Sequence, residues 1–190
     1  MNVRNSFLML AAAALLLFSC SGAARSQARE HLTPEEVELI QDAQILDKRI
    51  DVFIKAADRR VLALNTGSAA DAKQVKKDSE KWGPLPTGTR SELVGDVARI
   101  LDEAITNIDD VSMRDEKNPL IAKSLRKLAA AATRLVEQLK PAQTQMSAGS
   151  EGNSFDLLTE NAESIVQAAA KLPPPSEKKK SKTEKSKETN

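Results

Sequence analysis

The chain has 190 residues, a formal net charge of +1, one histidine and one cysteine. A single cysteine excludes an intramolecular disulfide and a multi-cysteine zinc site, and a single histidine excludes the paired histidines of zinc proteases and di-iron bundles. The near-neutral charge argues against a nucleic-acid-binding protein, because such domains are usually basic.

The first 28 residues have the order of a secretory signal. Arg4 supplies a positive start, an uncharged apolar run extends from Phe7 to Phe18, and small residues follow at 19–24. The run is short for a helix that spans a bilayer, so the pattern favours export over a permanent N-terminal anchor. We therefore expect a bacterial protein in the periplasm or on the extracytoplasmic face of the membrane.

Two processing outcomes compete for this segment. Cleavage after Ala24 or Ala28, each of which ends a small-x-small pattern, would release the chain from the membrane. Alternatively, Leu17-Phe18-Ser19-Cys20 resembles a bacterial lipobox, which implies a lipid on the Cys20 thiol. Phe18 is bulkier than the residue usual at its position. A lipidated Cys20 would anchor the protein to the membrane, whereas cleavage after Ala24 or Ala28 would leave it soluble.

The last residues form a very different segment. Pro173–Pro175 is incompatible with a helix, and residues 176–190 contain six lysines, three glutamates and no apolar side chain. This composition predicts a disordered tail over 173–190. The tail either keeps the protein in solution or is attracted to anionic lipid or cell-wall polymer. Without this tail (net +3) and the two arginines of the signal, residues 29–172 carry a formal charge of −4.

Residues 29–172 are predicted to be helical throughout, which indicates an all-α fold. We expect an antiparallel bundle of about four helices, over 34–65, 89–113, 119–140 and 154–171. The first helix begins with a capping box at Thr33 and Glu36, with Pro34 as its first residue. Its apolar stripe is close to a coiled-coil heptad pattern and comprises Leu39, Ala43, Leu46, Ile50, Phe53, Ala57, Val61 and Leu64.

The remaining boundaries rest on further local signals. Gly67 is a candidate left-handed residue after the first helix. The connection over 66–88 is predicted to contain a short polar helix at 70–81 and then a turn-rich segment at 82–88. Thr89 with Glu92, and Asn118 with Pro119, begin the next two helices, and Lys140-Pro141 should end the third.

The residue inventory gives no catalytic or cofactor-binding constellation. The sequence lacks Cys-x-x-Cys-His, Gly-x-Ser-x-Gly and a phosphate-binding glycine loop. We therefore predict a protein that is not an enzyme and holds no metal or cofactor. His31 is expected in a solvated N-terminal segment. Asp47 and Asp51 are expected on a solvent-facing side of the first helix, among interleaved basic residues.

Three residues are candidate contacts for a ligand or partner: Trp82, Arg59 and Arg60. The two arginines are expected to be exposed on the helix surface, where they could form a cationic patch with Arg90 and Arg99. Trp82 either packs the long connection onto the helices or is an exposed recognition residue, since tryptophan is enriched at binding hot spots.

These observations predict an exported, non-catalytic helical bundle that acts through protein or cell-envelope contacts. The alternative is a ligand-binding module that uses the Trp82 segment and an interhelical groove. The partners considered are an envelope protein, the membrane through lipidated Cys20, and a second copy of the chain through the stripe of the first helix. Nucleic acid is not expected as a partner.

Overall fold

The computed structural model describes residues 29–65, 69–144 and 150–174. The predicted export signal, Cys20, Gly67 and the lysine-rich segment beyond residue 174 lie outside the described residues. The chain divides into two units, Met1–Glu30 and His31–Asn190, and every described helix belongs to the second unit.

Six helices make up the regular structure of the described residues, and no strand occurs among them. The prediction of an all-α fold is therefore confirmed. In chain order the helices are α1 (Pro34–Asp42), α2 (Leu46–Asn65), α3 (Ala69–Trp82), α4 (Arg90–Arg114), α5 (Pro119–Gln143) and α6 (Ser150–Ala170).

Two helices begin at the capping boxes that the sequence predicts. In α1, the Glu36 N–H donates to Thr33 Oγ1 at 3.3 Å, and the Thr33 N–H donates to Glu36 Oε2 at 3.0 Å. Thr89 and Glu92 make the same reciprocal pair at the start of α4. These bonds satisfy N–H groups that have no partner within the helix, so the signal is local and can be recognised in sequence.

The predicted helix over 34–65 is divided into α1 and α2 by a break at residues 43–45. The Ala43 N–H still donates to the Leu39 carbonyl at 3.2 Å, but the chain then leaves the helical path. The carbonyl group of Ala43, at the end of α1, accepts a hydrogen bond from Arg49 Nε at 3.0 Å. Since α1 packs back against α2, the break brings the start of α1 beside the second half of α2.

Three further helices differ in their boundaries from the sequence prediction. The connection after α2 contains α3, which is longer than the predicted 70–81 and includes Trp82 as its last residue. The third predicted helix does not stop at Lys140-Pro141, because Pro141 lies within the last turn of α5. A proline so near a helix end removes one hydrogen bond, and few residues follow whose helical path it could disturb. The fourth predicted helix begins at Ser150 rather than Ser154.

The core lies between the four long helices. α4 packs against α2, α5 and α6, while α5 also packs against α2 and α6. The predicted stripe of the first helix is used here, since Leu46, Ile50, Phe53, Ala57 and Val61 are buried. The other three members of the stripe, Leu39, Ala43 and Leu64, are partly exposed. Apart from Phe53 and Phe155 the main cluster is aliphatic, and its largest fully buried members are Ile50, Ile100, Leu101, Ile108, Leu128, Leu135, Leu139, Leu158 and Ile165.

A helix that crosses a bilayer must be both long and apolar. None of the described helices combines the length and the apolar character that crossing a bilayer demands.

Candidate functional site

Three charged side chains are buried together where α1 packs on α2. Glu36, Arg59 and Arg60 are 0%, 2% and 1% exposed. Glu36 Oε1 accepts hydrogen bonds from Arg59 Nε at 3.1 Å and from Arg60 Nη1 at 2.5 Å. We call these three residues the arginine–glutamate cluster. One carboxylate thus faces two guanidinium groups, and burial of such an excess of charge requires further acceptors.

Backbone carbonyl groups supply those acceptors. Arg59 Nη2 donates to the carbonyls of Trp82, Gly83 and Pro84 at 2.9, 3.2 and 2.5 Å. Arg60 donates to the carbonyls of Ala56 and His31 at 2.9 and 2.5 Å. The cluster therefore joins four parts of the chain: the segment before α1, α1 itself, α2, and the end of α3 with the two residues that follow it.

The Trp82 segment, residues 82–86, lies directly over this cluster. Trp82 is buried, and its ring centroid lies 5.8 Å from the Arg59 guanidinium carbon, a distance at which a cation–π contact is favourable. Gly83 ends α3 with φ +66°, a left-handed conformation that glycine adopts without strain. A Cβ at this position would lie 2.7 Å from the carboxyl carbon of Glu35, whose flexible side chain would have to move aside, so the left-handed φ is the main reason for glycine here.

The structure thus brings the three predicted contact residues together but buries them. Arg59 and Arg60 were expected to be exposed, and this expectation is wrong, because their charge is directed at Glu36 and at carbonyl groups. Arg99 does not join them and pairs instead with buried Asp96 at 2.8 Å. No pattern in the sequence indicates that Glu36 does more than cap α1, since the capping box by itself accounts for a glutamate at that position.

A groove between α2 and α5 adjoins the cluster and contains Arg59 in its lining. It has a volume of about 280 Å³. Lys55 and Arg134 lie at its polar side, where Lys55 pairs with Asp78 of α3 and Arg134 pairs with Asp58, both at 2.7 Å. Val61 and Leu62 provide an apolar surface in the same groove.

A second groove lies between α5 and α6, with a volume of about 360 Å³. Its apolar part is formed by Val136, buried Ala162 and Val166, which is 39% exposed. Glu137 and Glu163 lie at its edges. We call this feature the α5–α6 groove. No sequence pattern predicts it, because it depends on which faces of the two helices pack against each other.

The acidic pair on the first predicted helix has a structural role between helices. Asp47 is buried and accepts from Lys123 Nζ at 2.8 Å, while Lys127 Nζ lies 2.7 Å from both Asp47 and Asp51. The expectation that Asp47 faces solvent is therefore wrong. Hydrogen bonds from Lys123 and Lys127 lower the pKa of Asp47 below its ordinary value, against the opposing effect of burial. Burial alone would lower the pKa of Lys127, but its hydrogen bonds to Asp47 and Asp51 raise it.

His31, which was expected in a solvated segment, contacts two helices. Its Nε2 lies 2.8 Å from Glu103 Oε2 on α4, and its carbonyl accepts from Arg60. Within residues 29–65, 69–144 and 150–174, no group of three or more His, Cys, Asp or Glu side chains is arranged to hold a metal ion.

Comparison of the chain with protein-family models, curated proteins and solved structures finds no match. The functional interpretation therefore depends on the residues and their geometry.

Proposed function

We propose that this protein is an exported, non-catalytic helical protein that acts by binding a protein partner in the bacterial cell envelope. In this proposal residues 1–28 direct export, and the chain is then either released or anchored through lipidated Cys20. The helices α2, α4, α5 and α6 form a four-helix bundle that presents the binding surface. One histidine, one cysteine and the lack of catalytic motifs support a binding role over an enzymatic one.

The observation that carries the proposal is the α5–α6 groove. Its apolar part is accessible through Val166, and its residues on α6 follow helical spacing at 159, 162, 163, 166 and 167. A groove between two packed helices with such spacing suits an amphipathic helix, which places apolar side chains at similar intervals. Tertiary packing within the described residues leaves this surface uncovered.

Charge specifies the kind of helix that fits. Between Ser150 and Ala170, α6 has four acidic residues and no lysine or arginine. Of these, Asp156, Glu160 and Glu163 are exposed. Glu163 has no ion pair among the described residues, whereas Glu137 on the opposite edge pairs with Lys140. A partner helix with basic residues flanking its apolar stripe would complement these edges, and a second copy of the same groove would bring acidic edges together.

Site-specific photocrosslinking in the host tests this proposal. A photoreactive residue at Val166 should give a discrete adduct with another protein, while the same residue at Lys48, exposed on α2, should not. Equal labelling from both positions, or no adduct from Val166, would contradict the proposal. An adduct of twice the chain mass would mean that the partner is a second copy of this chain rather than a different protein. The intact mass of the membrane-fractionated protein tests the location and the state of Cys20.

A second candidate function is the binding of a small ligand in the α2–α5 groove. The observation in its favour is that Arg59, one of the three predicted contact residues, lines this groove beside the Trp82 segment. Replacing Leu62 in the groove by aspartate should then abolish ligand binding.

A further inference from the structure

We infer that the α2–α5 groove binds a small amphiphilic anion, a carboxylate with an attached apolar chain. This inference rests on the second candidate function and assigns it a ligand class. It depends on three features of the groove: a buried arginine with an uncommitted nitrogen, an excess of cationic side chains, and an apolar surface next to them.

The first feature is the hydrogen bonding of Arg59. Its Nε donates to Glu36 and its Nη2 donates to three carbonyl groups. Among the described residues, no hydrogen bond uses its Nη1. A guanidinium group has five N–H donors in a planar fork, so a side chain that is 98% buried and lines a groove retains donors for an acceptor placed there. Carboxylate oxygens match this geometry.

The second feature is the balance of charge in the groove. Lys55, Arg59 and Arg134 are cationic, and Asp58 is the one carboxylate in the lining; Asp78 and Glu36, which pair with Lys55 and Arg59, do not line the groove. Lys55 and Arg134 come from different helices and are 33% and 43% exposed, and each has more N–H donors than its pair with Asp78 or Asp58 uses, so donors remain for a ligand. The amide side chains of Asn65 and Gln138 add neutral donors at the same place.

The third feature is the apolar surface of Val61 and Leu62. Val61 is buried, with 7% of its surface exposed, and Leu62 at the next position of α2 is partly exposed. Ligand sites commonly combine such an apolar wall with a few placed polar groups, and a volume of about 280 Å³ is at the small end of their range. The groove therefore fits a short acyl chain better than an entire lipid.

Trp82 provides a reporter for the experiment, because it is the one tryptophan of the chain and its ring lies over Arg59. The full-length protein is titrated with octanoate, acetate and octanol while Trp82 fluorescence and calorimetric heat are recorded. Octanoate should bind saturably, and acetate and octanol should bind at least tenfold more weakly. The variant Arg134→Gln should weaken octanoate binding about tenfold, since it removes one charged hydrogen bond.

The matched control is Arg114→Gln, which changes an exposed arginine on α4 that does not line the groove. It should leave octanoate binding unchanged. If octanol binds as tightly as octanoate and Arg134→Gln has no effect on binding, the ligand is not an anion. That result would overturn the anion assignment but would still show a ligand site in the groove. Acetate that binds as tightly as octanoate would overturn the amphiphilic class. Absence of binding by all three probes would overturn both the inference and the second candidate function.

Discussion

Glu36 shows how one side chain can serve several elements of this fold. Its Oε2 completes the cap of α1, and its Oε1 compensates two buried guanidinium groups of α2. The capping role is local and follows from the sequence. The pairing with Arg59 and Arg60 depends on the turn between α1 and α2, which no short-range pattern indicates.

Replacing Glu36 by glutamine tests the electrostatic role of this residue. The variant keeps the shape of the side chain but leaves two buried arginines without a counter-charge. Removal of one partner of a buried ion pair costs about 3–5 kcal/mol, and we expect a loss of that size in the free energy of unfolding. Urea denaturation measures it. Glu38→Gln, on the exposed face of the same helix, should change stability by less than about 0.5 kcal/mol; similar losses in both variants would refute the role.

At the scale of elements, the apolar pattern predicts helices well and their interruptions poorly. The stripe of Leu39, Ala43, Leu46 and Ile50 has the same spacing whether the helix continues or bends, so the break at 43–45 leaves no mark in it. Pro141 illustrates the opposite error, because a strong helix-breaking signal is tolerated in the last turn of α5. The capping boxes of α1 and α4 were predictable because each is complete within four residues.

The contact between α2 and α5 should depend on pH through Asp47. Its pKa is lowered in the folded protein by Lys123 and Lys127, so its contribution to stability is fully present above the ordinary value of 3.8 and is lost as the pH falls through the lower folded value. Asp47→Asn should cost about 1–2 kcal/mol at neutral pH, since Lys123 is largely exposed and solvent screens part of the interaction.

The difference in unfolding free energy between this variant and the wild type should be constant from pH 5 to pH 8 and should shrink below about pH 4. Asp102→Asn, at an exposed position of α4, is the control and should show no such pH dependence. A difference that persists unchanged into acid would mean that the carboxylate charge does not stabilise the α2–α5 contact.

For the whole molecule, the net charge of +1 conceals how the charges are used. Arg59 and Arg60, two of the arginines that the sequence offers for recognition, are directed inward, where they join α1, α2 and the Trp82 segment. The exposed surface of α6, by contrast, is acidic, and the α5–α6 groove beside it and the α2–α5 groove are the binding surfaces that we propose. Apolar spacing and capping signals predicted the helical class, and composition showed the scarcity of histidine and cysteine. Neither could predict these surfaces, because they depend on the packing of distant segments.

The central claim is that the arginine–glutamate cluster holds the Trp82 segment against the helices, so that binding takes place in the grooves. Quenching of Trp82 fluorescence by acrylamide, measured across a urea titration, tests this claim most directly. The account predicts weak quenching in the native protein, with strong quenching appearing only in the global unfolding transition that circular dichroism reports. Native Trp82 that is quenched as strongly as free tryptophan would contradict the claim and would identify the segment as an open recognition surface.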